Sequence, residues 1–123
     1  MEINELTGTV IGCAIDVHRG LGPGLLESAY EQCLLYEIRR KGIEVYNQVR
    51  LPISYKGLEI DAGYRLDLFL PDKLILELKV VDKIAPIHKA QLMSYLKLSK
   101  IKTGLLINFN ETQLTHGINR ISI

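Results

Sequence analysis

Apolar and polar residues alternate from Tyr64 to Val81, on both sides of a short turn at Pro71-Asp72-Lys73. Alternation with a period of two is typical of strands, and a central Pro-Asp pair predicts a hairpin. One face of the hairpin is apolar, with Leu66, Leu68, Leu70, Leu74, Leu76, Leu78 and Val80. The other face carries Arg65, Asp67, Phe69, Ile75, Glu77 and Lys79. If Leu70 pairs with Leu74, Asp67 lies directly opposite Glu77, with Cβ atoms about 4.5–5.5 Å apart.

Helical spacing of apolar residues predicts two helices before the hairpin and one after it. The first runs from Asn4 to Arg19, and the second from about Leu25 to Lys41 with Gly42 as its C′ residue. The third begins near Pro86, a residue well suited to a first helical turn, and continues to about Ser99.

The remaining segments read as strands. They are Glu44–Tyr55, then Leu58–Ala62, which follows a Lys56-Gly57 turn and leads into the first strand of the hairpin, and finally Thr103–Phe109 and Gly117–Ile123. Pro52 indicates an edge strand or a bulge, because proline cannot donate to a ladder. The order is therefore helix, helix, three strands, helix, strand, strand. This pattern predicts an α+β or mixed α/β fold in one layered domain.

Composition narrows the class of protein. The chain has 123 residues, 47% of them hydrophobic, which is enough to bury a core without disulfides or a structural metal. No segment has the roughly 18 uninterrupted apolar residues of a membrane span, so no membrane partner is expected. The N-terminus lacks the basic region of a secretion signal, and Cys13 and Cys33 occupy apolar helical positions. We therefore expect reduced thiols and a cytoplasmic location.

The net charge of +1 excludes a globally polycationic protein. Binding to nucleic acid would need a local basic patch. The candidates are two clusters near helix ends: Arg39, Arg40 and Lys41, and Lys89, Lys97, Lys100 and Lys102. Such clusters more often form solvated helix ends that complement the helix dipole.

The candidate chemistry lies on the polar face of the hairpin. Two opposed carboxylates repel each other, and a divalent cation between them reverses the sign of that interaction. Lys79 projects from the same face, and Glu27 of the second helix could add a third carboxylate. Oxygen ligands of this kind favour Mg2+ or Mn2+ over Zn2+. The alternatives are a solvated polar face and, for Glu27, a charge that suits a helix N-terminus.

Other chemistries fit the sequence less well. His18, His88 and His116 have no metal-ligand spacing among themselves, and the cysteines have no motif partner. The glycine-rich segment Gly20-Leu-Gly-Pro-Gly24 follows a helix rather than a strand, unlike a phosphate-binding loop. It is interpreted as a turn that positions Glu27. Tyr30, Tyr95, His88 and His18 are interpreted mainly as packing or hydrogen-bonding residues.

Several spaced motifs occur in the order found in one known family. They are Val17-His18-Arg19 with Leu21-Gly22-Pro23-Gly24, Gly24-Leu-Leu-Glu27-Ser-Ala-Tyr30, Tyr64-Arg65-Leu66-Asp67, Leu76-Glu77-Leu78-Lys79, His88-Lys89-Ala90-Gln91-Leu92-Met93-Ser94-Tyr95-Leu96 and Gly104-Leu105-Leu106-Ile107-Asn108-Phe109. Over nearly its whole length, the chain resembles the GxxExxY proteins, which are small domains of the PD-(D/E)XK nuclease superfamily.

The resemblance implies a single nuclease-like domain over residues 1–123, with a restriction-endonuclease-like αβββαβ core. It implies that Asp67, Glu77 and Glu27 bind Mg2+ or Mn2+ and that Lys79 is catalytic. Gln91 would orient ligands or contact the substrate, and Leu66 stands where the superfamily has its proline. The implied activity is phosphodiester hydrolysis of DNA or RNA. The alternative is a catalytically silent module that binds nucleic acid or protein, and a homo-oligomer is compatible with either.

Overall fold

A computed structural model describes all residues from Met1 to Ile123. Two helices come first, α1 (Ile3–Leu21) and α2 (Glu27–Arg40). Five strands follow them: β1 (Tyr46–Arg50), β2 (Ile53–Tyr55), β3 (Leu58–Ile60), β4 (Arg65–Leu70) and β5 (Leu74–Lys79). The last elements are α3 (Pro86–Ser99), β6 (Thr103–Asn108), a short 3-10 helix (Leu114–Gly117) and β7 (Ile118–Ser122).

Five strands form one mixed sheet in the order β1-β4-β5-β6-β7. Strands β5 and β6 are parallel and are joined through α3, whereas every other neighbouring pair is antiparallel. Leu70 pairs with Leu74 as the turn chemistry predicted. The structure thus confirms the predicted mixed α/β architecture, a central mixed sheet flanked by helices.

The two faces of the sheet bury separate apolar clusters. Helices α1 and α2 pack through residues such as Val10 and Leu34 against Leu68, Leu76 and other apolar residues of the strands. Helix α3 covers the opposite face, where its apolar residues pack on Ile75 and Leu106. Leu76 is fully buried, and truncating a buried leucine to alanine typically costs about 2–5 kcal/mol. The periodic spacing of apolar residues in the helices and strands therefore reflects the free energy gained when these side chains are buried.

Three details differ from the sequence-based expectation. The segment expected as one strand divides at Leu51-Pro52, because β2 leaves the main sheet and pairs only with β3. β1 is an edge strand of the main sheet, which is one of the two alternatives that Pro52 indicated. Leu66 packs with the cluster under α3 although simple alternation placed it with Leu68. Helix α1 extends from Ile3 to Leu21, beyond the predicted Asn4–Arg19, and the Glu2 side chain caps it by accepting from the Asn4 amide.

Helix boundaries otherwise follow the expected chemistry. Gly42 has φ +77° just past α2, a left-handed conformation that favours glycine. Pro86 opens α3, where its missing N–H costs nothing. No helix combines the length and apolar composition needed to cross a membrane.

The end of β5 is fixed by the buried Asn108 of β6. The Asn108 side chain accepts from the Val81 amide at 3.1 Å and donates to the Val81 carbonyl at 2.8 Å. The Phe109 amide also donates to the Lys79 carbonyl at 2.9 Å. These bonds hold the backbone that directly follows the Lys79 side chain, and they therefore limit where that side chain can reach.

Candidate active site

Asp67 and Glu77 meet where the regular pairing of β4 and β5 ends. Backbone pairing is regular as far as Leu68 and Leu76. One step further along, Asp67 Oδ2 accepts a hydrogen bond from the Leu78 amide at 2.8 Å, and Glu77 Oε1 accepts one from the Asp67 amide at 3.4 Å. Side-chain carboxyls thus replace backbone partners, and this brings the two acids into direct contact.

Glu77 is the most perturbed acid of this pair. Its residue is only 4% exposed, and burial is the main reason that its pKa rises to about 9. The charge of Asp67 and a side-chain hydrogen bond with it raise the pKa further, whereas Lys79 lowers it more weakly. Without a cation, Glu77 therefore carries a proton at neutral pH and can share it with Asp67.

Lys79 and Gln91 are also in contact. Lys79 is the last residue of β5 and is half-buried, and its Nζ atom donates to Gln91 Oε1 over 3.4 Å. Gln91 lies on α3, one turn beyond the helix start. The amide oxygen of Gln91 therefore holds the ammonium group on the sheet face that α3 covers.

Glu27 is the first residue of α2 and lies at the surface. Neighbouring protein atoms desolvate its carboxyl and raise its pKa, and the charge of Asp67 raises it further, whereas Lys79 lowers it. Glu27 thus feels the charges of the same two residues that define the polar face. However, no three acidic, histidine or cysteine side chains stand close enough together to hold a metal ion. The role of Glu27 as a third metal ligand therefore stays a prediction.

The glycine-rich turn before Glu27 is held by Tyr30. The Tyr30 hydroxyl donates to the Gly22 carbonyl at 2.6 Å and accepts from the Leu25 amide at 3.0 Å, while its ring stacks on Phe109 with centroids 4.5 Å apart. Gly22 and Gly24 have φ of +74° and +89°, which a side chain would strain. The turn leads directly into α2. The three motif residues Gly24, Glu27 and Tyr30 therefore belong to one local structure, which fixes the start of the helix.

Sequence reasoning missed a hydrogen-bond network that joins Asp67 to the buried Glu31. Glu31 of α2 is buried and accepts hydrogen bonds from Asn47 Nδ2 at 3.2 Å and from Gln48 Nε2 at 2.6 Å. The same Gln48 Nε2 lies 3.3 Å from Asp67 Oδ1. Gln48 itself has φ +51°, an uncommon backbone conformation for a residue with a side chain. Its amide therefore joins Asp67 to a second carboxylate and orients both.

The remaining candidates have structural partners. His88 Nδ1 accepts from the Ala85 amide at 2.9 Å, and His18 Nε2 lies 2.6 Å from the Glu111 carbonyl. Arg39 donates to the Val45 carbonyl at 3.0 Å, and Arg40 pairs with Glu37 at 3.2 Å. All four ion pairs of the chain involve arginine, so no lysine forms an ion pair. The lysines of the second predicted patch are all exposed: Lys89, Lys97, Lys100 and Lys102.

Comparison with known protein families gives one finding. A family model described as the PD-(D/E)XK nuclease superfamily matches residues 4–121. No curated protein and no solved structure matched the chain significantly. The matched range includes both carboxyls of the pair, the lysine, the glutamine and the start of α2.

Proposed function

The chain belongs to the PD-(D/E)XK nuclease superfamily, and on that premise we propose that it hydrolyses phosphodiester bonds of DNA or RNA with Mg2+ or Mn2+. The observation that carries this proposal is the buried contact between Asp67 and Glu77 beside Lys79. An ordinary sheet avoids opposed carboxyl groups in its interior, since burial disfavours their charged forms. A site made to hold a cation explains why both are retained here.

The donor set fits a hard divalent cation. Mg2+ is usually bound through one or two carboxylates while it keeps several waters, so the Asp67 and Glu77 pair is sufficient. Glu27 is proposed as the third acid because its carboxyl responds to the charge of Asp67. When bound, the cation would polarise a phosphoryl oxygen and lower the pKa of a coordinated water. Glu77 would have to release its proton first, because a metal ligand must be deprotonated.

The other residues supply orientation and charge. Lys79 is proposed to hold the attacking water and to offset the negative charge that develops on the phosphoryl group. Gln91 positions the lysine through its amide oxygen, and its NH2 group has two N–H donors, one of which is proposed to contact the substrate. Gln48 and the Leu78 amide orient Asp67. The proposed roles thus follow from hydrogen bonds that already exist before substrate arrives.

Nucleic acid is the proposed partner, as the superfamily implies. The net charge of only +1 requires phosphate contacts from a few local cations. Lys83, just after β5, and Lys89, on the first turn of α3, are exposed and not in ion pairs. Both lie in the segment that joins Lys79 to Gln91, and we propose that they contact the nucleic-acid backbone near the scissile phosphate.

The test is a cleavage assay on single- and double-stranded DNA and RNA, with Mg2+ or Mn2+ and with chelator. The wild type should cut at least one substrate only with metal. Lys79→Ala should lower the rate about 10²–10³-fold, the usual loss for one electrostatic stabiliser, with its fold and metal binding preserved. The matched control Lys83→Ala removes a nearby exposed lysine and should mainly weaken binding.

The rival outcome is equally definite. Wild-type protein that binds nucleic acid but never cuts it, with any divalent metal, would assign the chain to a catalytically silent binding module. If Lys79→Ala loses stability but keeps metal-dependent cleavage, the lysine has a structural role and not a catalytic one. The resemblance to the GxxExxY proteins within the superfamily stays a prediction in either case.

A further inference from the structure

A cavity of about 460 Å³ opens beside Lys79, between α3 and the region where β2 leaves the main sheet. Five of its nine lining residues are hydrophobic. Ile53 of β2 and Ile87 of α3 contribute aliphatic wall, and Tyr64 and Tyr95 contribute aromatic wall. Lys79 and Gln91 also line it, so the cavity is continuous with the proposed catalytic residues.

The two tyrosines give the cavity a specific shape. Their rings meet edge to face, with centroids 5.9 Å apart and an interplanar angle of 62°. Tyr95 is only 7% exposed and is fixed within the core under α3, whereas Tyr64 is 41% exposed. Tyr64 thus offers an accessible aromatic surface on a fixed support, which is an arrangement that suits stacking by a flat ring.

The polar groups complement such a ring. The Lys79 ammonium donates hydrogen bonds, and the Gln91 amide can both donate and accept. A flat aromatic group with hydrogen-bonding atoms on its edge would therefore be bound by stacking and by edge contacts. A nucleobase has this chemistry, and every nucleobase has a face that can stack.

The size of the cavity also favours a base over a protein partner. Its volume falls within the roughly 300–1,000 Å³ of small-ligand sites. A stable protein interface would instead bury more than about 1,000 Å². A paired base within a duplex cannot enter such a cavity, because its faces are covered by neighbouring bases.

We propose that this cavity receives an unpaired nucleobase adjacent to the phosphate that faces Lys79, and that the substrate is therefore single-stranded or locally unpaired nucleic acid. The inference rests on the proposed function, since it places the base beside the proposed catalytic lysine. Tyr64 is then a residue that determines specificity, through stacking with the substrate base.

The experiment uses a short single-stranded oligonucleotide that contains the fluorescent base 2-aminopurine at successive positions, as DNA and as RNA. Fluorescence and affinity are measured in Ca2+ and again in chelator, for the wild type, Tyr64→Ala and Tyr64→Phe. Tyr36→Ala is the matched control, because Tyr36 is an exposed tyrosine of α2 that lines a different surface depression and contacts Arg40. Blunt duplex of the same sequence is the comparison ligand.

The wild type should quench the fluorescent base at one position and bind single strand more tightly than duplex. Tyr64→Ala should abolish the quench and weaken single-strand binding by about 5- to 150-fold, the affinity equivalent of one stacked base. Tyr64→Phe and Tyr36→Ala should retain both properties. Absence of a position-specific quench with both backbones and in both buffers would overturn the proposal, as would an unchanged affinity in Tyr64→Ala.

Two further outcomes separate this inference from the proposed function. A quench that depends on Tyr64 in a protein that never cleaves would support the base site and refute the nuclease. Metal-dependent cleavage with equal affinity for single strand and duplex would refute the base site and leave the nuclease standing. A dimer in sedimentation that Tyr64→Ala dissociates would assign the cavity to a second copy of the chain and overturn the proposal.

Discussion

Protonation of Glu77 should make the stability of the metal-free protein depend on pH. The pKa of this buried carboxyl is about 9 in the folded chain, against an ordinary value of 4.5, because burial and then the charge of Asp67 disfavour its ionised form. Between these values the folded chain holds a proton that the unfolded chain has released. The free energy of unfolding therefore falls as pH rises through this window, by at most about 1.4 kcal/mol per pH unit.

Glu77→Gln isolates this contribution. Glutamine keeps the shape of the side chain and an oxygen that can accept from the Asp67 amide, as Glu77 Oε1 does, but it cannot titrate. From about pH 6 to about pH 8, the wild type should lose up to about 2.7 kcal/mol of stability relative to the glutamine variant. Contributions from titrating groups that do not interact with Glu77 cancel in this difference.

The assay is urea unfolding in chelator at several pH values, with the free energy of unfolding extrapolated to water. Asp67→Asn provides a second test, because it removes the second-largest cause of the shift. The window in this variant should close at a lower pH than in the wild type, while burial keeps part of the slope. Parallel pH profiles for wild type and Glu77→Gln would refute the burial and charge reasoning.

Three further variants test other parts of the site. Mg2+ or Mn2+ should raise the melting temperature of the wild type, by the equivalent of about 2.7 kcal/mol at a hundredfold excess over the dissociation constant, and Asp67→Asn should abolish the shift. Gln48→Ala removes the bridge between Asp67 and Glu31 and should lower kcat or metal affinity about 10- to 100-fold, measured by steady-state kinetics and metal titration. Tyr30→Phe removes the two hydrogen bonds from the Tyr30 hydroxyl to the glycine-rich turn and, at about 0.5–1.5 kcal/mol for each bond, should cost about 1–3 kcal/mol in urea unfolding.

Each of these expectations has a contradicting result. An equal thermal shift in Asp67→Asn would place the metal elsewhere. Wild-type kinetics and metal affinity in Gln48→Ala would mean that Asp67 needs no orientation from that amide. A free energy of unfolding unchanged in Tyr30→Phe would show that the turn holds itself, with Tyr36→Phe as the exposed control.

Much of the fold was predictable because the relevant forces are local or periodic. Alternation around Pro71 and Asp72 determined the hairpin register, since a shift by one residue would move the apolar side chains of a strand to the face that carries the acids. Gly42 and Pro86 marked helix ends through their backbone preferences. The contact of Asp67 with Glu77 follows from that register.

The parts that escaped prediction depend on tertiary contacts. Nothing in the local sequence distinguishes Glu31 from an ordinary surface glutamate of a helix, yet it is buried and accepts hydrogen bonds from Asn47 and Gln48 of β1. Gln48 in turn has a left-handed backbone that no local residue preference indicates. Leu66 belongs to the same apolar cluster as Leu92 and Leu96 of α3. Alternation along one strand cannot predict this contact with a distant helix.

The assignment depends most directly on whether Asp67 and Glu77 exchange a proton for a cation. Calorimetric titration with Mn2+ near pH 7, repeated in two buffers of different ionisation enthalpy, counts the protons released on binding. The wild type should bind Mn2+ and release about one proton for each ion, because Glu77 with a pKa near 9 is protonated beforehand. Glu77→Gln should bind far more weakly and release none. Wild-type binding without proton release, at an affinity that Glu77→Gln and Asp67→Asn retain, would contradict the account.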